Sequence, residues 1–265
     1  MTTVGFIGTG NMGAAIIKGL STRDDLKLLG FDLNQDSLAA LAEYGLEATT
    51  STLELARRSD FILLAIKPHQ VAAVLSEIEE ELGKDKCVLS IAAGLTTDSL
   101  RECCGDQCAI VRIMPNTPAM VGAGVFAICL EDQRLDAERA ALVKEMFSGL
   151  GQVHILPEKQ FDAFTGLVGS GPAYVFYFME AMIEAGVTMG LTRVQATQMT
   201  EGLFAGSAKL AEESEHHISV LREMVCSPGG TTIAALNVFD EYAVRSAILQ
   251  GTLRSAERSK ELGGN

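Results

Sequence analysis

The run Gly8-Thr9-Gly10-Asn11-Met12-Gly13 has the residue types and spacing of a loop that cradles a pyrophosphate. It follows an apolar stretch, VGFIG (4–8), and leads into a helical segment from Met12 to Ser21. In that setting the first glycine makes a tight turn, the second lets the backbone reach the phosphates, and the third lets helix and strand pack closely. The helix start then offers free N–H groups and a positive dipole end. A second apolar stretch, KLLGF (27–31), ends at Asp32. A carboxylate there accepts hydrogen bonds from an adenosine ribose diol and repels a 2′-phosphate. Leu33-Asn34-Gln35-Asp36 brings no Arg or Lys to hold such a phosphate, so the charges favour NADH over NADPH. The alternative is that Asp32 caps the following helix.

Other candidates sit at the ends of further apolar runs. Lys67-Pro68 follows FILLAI (61–66), and Ala92-Ala93-Gly94 closes CVLSIA (87–92). Open α/β sheets bind ligands at the C-terminal ends of their strands, and small residues there let a nicotinamide lie against backbone. Lys67 would serve equally as a solvated surface lysine. Met114-Pro115-Asn116-Thr117-Pro118 reads either as a rigid loop, with two prolines fixing its backbone, or as a lining of the nicotinamide pocket. Ser227-Pro228-Gly229-Gly230-Thr231-Thr232 opens a helix and, taken alone, reads as an ordinary cap. His69, His154, His216 and His217 have none of the surroundings of a catalytic base.

These residues need a scaffold, and the patterning supplies two. Up to Pro157, strand-like runs at 4–8, 27–31, 61–66, 87–92 and 109–114 alternate with amphipathic segments such as 36–45 and 69–82. That alternation predicts a parallel sheet with helices on both faces. Two more strands are expected at 125–130 and 152–156, flanking a helix at 136–151. Beyond Pro157 helical periodicity takes over, in segments 158–168, 172–189, 193–214, 216–226, 229–238 and 240–262. Gly169-Ser170-Gly171-Pro172 breaks the first two, with Pro172 suited to a first helical turn. The expected fold class is α/β, with an N-terminal Rossmann-type dinucleotide-binding domain (1–157) and a C-terminal all-helical domain (158–265). Tyr174 to Met189 is apolar nearly all round, which calls for a partner subunit as cover.

Composition narrows the function classes. The chain has 265 residues, 48% of them hydrophobic and 21% charged, the balance of a globular protein. A formal charge of −13 argues against nucleic acid as a partner. No apolar run is long enough to span a membrane, and MTTVGFIGTG does not read as a secretory leader. Cys104 and Cys108 are four residues apart, but no second cluster or nearby His completes a zinc set. The expectation is a cytoplasmic protein with reduced thiols and no metal.

In combination the motifs resemble those of the pyrroline-5-carboxylate reductases. The matching stretches are FIGTGNMG (6–13), AIKPHQV (65–71), SIAAGLT (90–96), RIMPNTPAMVGAG (112–124), TGLVGSGPAYVF (165–176), EAGVTMGL (184–191) and SPGGTTIAAL (227–236). They span nearly the whole chain, and MPNTP, GSGPAY and SPGGTT are the specific ones. The resemblance implies reduction of 1-pyrroline-5-carboxylate to L-proline by NADPH or NADH. It places cofactor contacts at Gly8, Thr9, Gly10, Asn11, Met12, Ala65, Ile66, Lys67, Pro68, Ala92 and Ala93, to which Asp32 is added from its position. It places substrate contacts at Ser227, Gly229, Gly230, Thr231, Thr232 and Glu158, with the catalytic Thr232 hydroxyl near the ring nitrogen. It also implies a homodimer or an assembly of dimers. Thr52 and Met224 depart from the family pattern, since an asparagine is usual at both positions.

The chemistry is consistent with that reading. Exposed N–H groups at the start of the 229–238 helix would grip the substrate carboxylate without an arginine. A cyclic imine protonates readily, so position and cofactor orientation are the main requirements. Two other readings remain: a related imine reductase or β-hydroxyacid-type dehydrogenase, and a non-catalytic dinucleotide sensor. The dehydrogenases use a lysine on a long helix of the second domain, where this chain offers only Lys209 in SAKLAEE.

Overall fold

A computed structural model describes residues 1–263. They divide into two compact units, Met1–Ser170 with the chain from Ser255 onward, and Gly171–Arg254.

Among the described residues the first unit holds one eight-stranded sheet, in the order β3-β2-β1-β4-β5-β6-β7-β8. The strands are β1 (Thr2–Ile7), β2 (Leu26–Phe31), β3 (Glu47–Ala48), β4 (Phe61–Leu64), β5 (Cys87–Ser90), β6 (Ala109–Met114), β7 (Gly124–Cys129) and β8 (Gly151–Ile155). Helices α1 (Asn11–Leu20), α2 (Gln35–Ala39), α3 (Thr52–Arg58), α4 (Pro68–Ile78), α5 (Thr97–Cys103) and α6 (Ala137–Ser148) connect them. The period-2 pleat sends alternate side chains to opposite faces. Val4, Phe6, Phe61, Leu63, Cys87, Leu89, Val111 and Ile113 therefore join one core layer. Ile7, Ile62, Leu64, Val88 and Ile110 join the other. Burial on both faces explains why β4 reads as an unbroken apolar run.

The sheet departs from the all-parallel expectation at one place. β7 runs antiparallel to β6, whereas β8 is parallel to β7. Only residues 115–123 separate β6 from β7, too short a link for a parallel crossover. They include a short 3-10 helix, Thr117–Val121, closed by Gly122 at φ 73°. The expected helices at 36–45 and 69–82 are also shorter, because each tightens into a 3-10 turn, Ala42–Tyr44 and Glu79–Glu81.

The helical pattern that begins at 158 does not at once leave the sheet. α7 (Phe161–Phe164) buries Phe161 and Phe164 against Ala127 and Cys129 of β7. A widened π-turn, Thr165–Gly169, follows it. The compact units therefore part at Ser170/Gly171, later in the chain than the change of periodicity at 157/158. The end of the chain also belongs to the first unit: the Ser259 hydroxyl donates to Asp162 Oδ1 at 2.6 Å.

The second unit is helical: α8 (Gly171–Thr188), α9 (Arg193–Glu213), α10 (Ile218–Met224), α11 (Thr231–Glu241) and the first part of α12 (Val244–Leu262). Pro172 lies in the first turn of α8, as its fixed φ suits. Buried Gly186 lets α8 approach Ala196 of α9. Thr192 and Gln195 bond each other's backbone N–H in a capping box at the start of α9. Phe176 is 62% and Tyr177 74% exposed, and Met189, Leu203 and Phe239 are also exposed. No described helix is long and apolar enough to cross a membrane.

Candidate functional site

The C-terminal edge of β1, β4, β5 and β6 opens into a cleft of about 860 Å³ within the first unit. Its floor is the glycine-rich loop, where each glycine does a different thing. Gly8 adopts φ +98°, a left-handed conformation closed to most side chains. A Cβ on Gly13 would overlap the Gly8 carbonyl oxygen, so only glycine lets α1 pack this tightly. Gly10 meets nothing within 4 Å and leaves open space above the backbone. It is also the N-cap of α1, with no side chain capping it and no acidic residue in the first turn. The first N–H groups of α1 are thus left for an outside acceptor. Gly13→Val is therefore expected to weaken NADH binding at least tenfold, measured by fluorescence titration; unchanged binding would show that the loop does not carry the ligand.

Asp32 stands at the end of β2 on the wall of this cleft. Its Oδ2 accepts the Thr9 N–H at 2.6 Å and the Thr9 hydroxyl at 3.0 Å, while Oδ1 accepts the Asn34 N–H at 2.9 Å. Partial burial pushes its pKa up, but the bonds from Asn34 and Thr9 outweigh that and hold the carboxyl below its usual range. Asp32 is thus an anion at neutral pH that braces the glycine-rich loop. The cap of α2 is supplied by Asn34, whose Oδ1 accepts from Asp36 and Ser37.

Ala65, Ile66, Lys67 and Pro68 after β4, and Ala92 and Ala93 after β5, line the same cleft with Gly8, Gly10, Asn11, Met12 and Asp32. Thr9 does not; it is buried behind the loop on Asp32. Lys67 is exposed and has no ion-pair partner among the described residues. Gln70 Oε1 accepts its N–H at 3.1 Å at the start of α4. Met114 and Pro115 complete the lining. Asn116 faces inward as a brace: its Oδ1 accepts the Val125 N–H at 2.9 Å. Thr50, Ser51 and Thr52 also reach the cleft, and the Thr52 hydroxyl is buried with no partner. A buried orphan donor, an uncapped helix and glycine-made space suit a polar, phosphate-bearing ligand such as a dinucleotide.

In the second unit, Ser227 to Gly230 form the turn before α11. Gly229 takes φ +66°, Gly230 is the N-cap, and the Gly230 N–H bonds Ser227 O at 3.0 Å. No side chain caps α11. The half-buried Thr232 hydroxyl makes no hydrogen bond among the described residues. This helix start therefore presents unused N–H and O–H donors to an anion.

Comparison with known proteins decides the family. The family model for pyrroline-5-carboxylate reductase dimerisation matches residues 158–262, and that for coenzyme F420-dependent NADP oxidoreductases matches 3–94. The pyrroline-5-carboxylate reductase of Escherichia coli is 40% identical over 98% of this chain and 97% of its own. The chain belongs to the pyrroline-5-carboxylate reductase family. The pea (Pisum sativum) reductase is 35% identical over 98% of this chain and 96% of its own. The Plasmodium falciparum reductase, solved with NADP bound, superposes with a TM-score of 0.90 at 31% identity, covering 99% of this chain and 98% of that one. A 3-hydroxyisobutyrate dehydrogenase from Mycobacterium tuberculosis shares the fold at 12% identity and a TM-score of 0.57.

Within this reductase, Glu158 has its carboxylate already occupied. Oε1 accepts the Thr97 N–H at 2.7 Å and Arg112 Nη1 at 3.0 Å, and Oε2 accepts the Thr97 hydroxyl. Lys209, the lysine a hydroxyacid dehydrogenase reading would need, is 74% exposed and pairs with Glu213 at 3.7 Å. No group of three or more His, Cys, Asp or Glu able to hold a metal occurs among the described residues.

Proposed function

We propose that this reductase converts 1-pyrroline-5-carboxylate to L-proline with NADH or NADPH, with Asp32 favouring NADH. The observation that carries the proposal is the presence, in one chain, of a cleft built on a glycine-rich loop and an uncapped helix start bearing free donors. When bound, the dinucleotide supplies a hydride, two electrons and one proton nucleus, to the imine carbon. The C=N π-pair moves to nitrogen, which keeps the proton it carries and becomes the secondary amine. Gly8 to Met12, Asp32, Ala65 to Pro68, and Ala92 and Ala93 would orient the cofactor. Ser227, Gly229 and Thr231 would hold the substrate carboxylate through backbone N–H groups, beside Gly230, whose own N–H is taken by Ser227 O and which leaves room for the ligand. Thr232 Oγ1 would accept a hydrogen bond from the ring nitrogen. Placement, not a strong acid, is what this reaction asks of the protein. All six cysteines are free thiols, which supports a cytoplasmic location. A steady-state assay of pyrroline-5-carboxylate with each nicotinamide in turn, with proline identified as product, tests the proposal. Turnover with neither overturns it.

The functional unit is a homodimer, or an assembly of dimers, joined through the helical unit. The exposed apolar side chains of α8, Val175, Phe176, Tyr177 and Met182, support this. Sedimentation at micromolar concentration should give a dimer or a multiple of it, and Phe176→Glu should shift it toward monomer. A fully active monomer would count against this arrangement.

A further inference from the structure

Two walls of the cleft come from the ends of the neighbouring parallel strands β5 and β6, which pair as far as Ser90 and Arg112. Ile91, Ala92 and Ala93 form one, after β5, and Met114, the last residue of β6, forms the other with Pro115. The first continues through Gly94, at φ +80°, to Thr96, whose Oγ1 accepts the Ser99 N–H to cap α5. Adjacent Thr97 gives both its N–H and its hydroxyl to Glu158. The second wall is the direct extension of β6, which carries Arg112. Arg112 is 8% exposed in its side chain, bonds the same Glu158 oxygen that takes the Thr97 N–H, and lies with Cζ 4.8 Å from the centre of the Phe161 ring. The Glu158 N–H in turn donates to Glu131 Oε2 at 3.0 Å. One carboxylate therefore ties the anchor of one wall to the strand that carries the other. Burial pushes the Glu158 carboxyl up, but Thr97 and Arg112 more than offset this and keep it ionised.

We propose that Glu158 is a positioning residue that sets the spacing of the Ala92–Ala93 and Met114–Pro115 walls, and so the seat of the nicotinamide ring, through Thr97 and Arg112. This rests on the reading of the cleft as the dinucleotide site. It assigns Glu158 to cofactor placement in place of contact with the imino acid. The consequence is selective: loosening the brace should affect the nicotinamide half of the ligand and spare the adenosine half on Asp32.

The test compares NADH with ADP-ribose, which lacks the nicotinamide, by titration calorimetry on the full-length protein. Variants are Glu158→Gln, Thr97→Val and Thr97→Ser. Thr97→Val leaves the Arg112–Glu158 ion pair intact and so stays informative if Glu158→Gln unfolds. Glu158→Gln and Thr97→Val should each weaken NADH about tenfold, the effect of losing a hydrogen bond to a charged group, with ADP-ribose unchanged. Thr97→Ser, which keeps the hydroxyl, should restore wild-type affinity. NADH affinity untouched in Thr97→Val, with Glu158→Gln raising only the KM for the imino acid, overturns the proposal. Wild type binding neither NADH nor ADP-ribose would instead overturn the cofactor reading itself.

Discussion

Asp32→Asn should raise kcat/KM for NADPH by one to two decades while lowering it for NADH. A 2′-phosphate placed against the Asp32 carboxylate meets a repulsion on the order of 1–3 kcal/mol at an effective dielectric near 20, which is about one to two decades in affinity. Asp32 is held as an anion by Thr9 and Asn34, so it does not escape that repulsion by protonation at neutral pH. Among the residues lining the cleft, Lys67 is the sole cation, and it follows β4 rather than β2. Of the other polar residues on the lining, Asn11, Thr50, Ser51, Thr52 and Gln70 carry no charge, and Glu77 adds a second carboxyl rather than a cation. Asparagine is the informative replacement because its amide oxygen still accepts from the Thr9 N–H and hydroxyl, so the loop keeps that brace, and only the bond from the Asn34 N–H is given up. Alanine would confound cofactor choice with a collapsed loop. Parallel steady-state kinetics with both cofactors give the answer. A wild-type enzyme that already prefers NADPH would mean that the carboxylate is spent on Thr9 and does not sense the ribose.

What could be read from the sequence follows from how each feature is encoded. β4 shows in the chain because Phe61 to Leu64 are buried on both faces, which demands an unbroken apolar run. The glycine-rich loop shows because its geometry excludes side chains at Gly8 and Gly13 whatever surrounds them. β3 does not show: it is two residues, Glu47 and Ala48, both exposed, and only pairing with Leu29 and Gly30 makes them a strand. The direction of β7 has no compositional mark, since a buried apolar strand looks alike either way; only the short link after Met114 hints at it. The brace at Glu158 was hidden for a similar reason. Its partners lie 61 and 46 residues earlier, and no local pattern joins Thr97 or Arg112 to Glu158. Thr52 stood out only as a departure from the family pattern, and its buried, unpartnered hydroxyl is a product of the fold.

Thr232→Ala should lower kcat/KM for the imino acid about a hundredfold, with cofactor affinity and thermal stability little changed. Thr232 is in the first turn of α11, two residues beyond the N-cap Gly230. The helix does not depend on its side chain, because no side-chain cap is formed there and the hydroxyl bonds no described residue. Stability therefore has little to lose. Alanine at this position also has the better helix propensity, by a few tenths of a kcal/mol. Turnover has much more at stake. As hydride reaches the imine carbon, nitrogen changes from planar to pyramidal, and under the proposed role the Thr232 oxygen would sit beside it and hold the ring for attack on one face. Loss of one oriented hydrogen bond commonly costs about 2.7–4 kcal/mol in the transition state, or about a hundredfold in rate and upward. Thr232→Ser keeps the hydroxyl and should retain most of the activity, though its freer rotation lets the oxygen visit other rotamers. Steady-state kinetics, NADH titration and thermal unfolding on the three proteins together separate the roles. If the alanine variant turns over normally, or fails only by unfolding, Thr232 belongs to the helix and not to the chemistry, and the ring nitrogen must be met by a backbone group of the Ser227 to Thr231 turn.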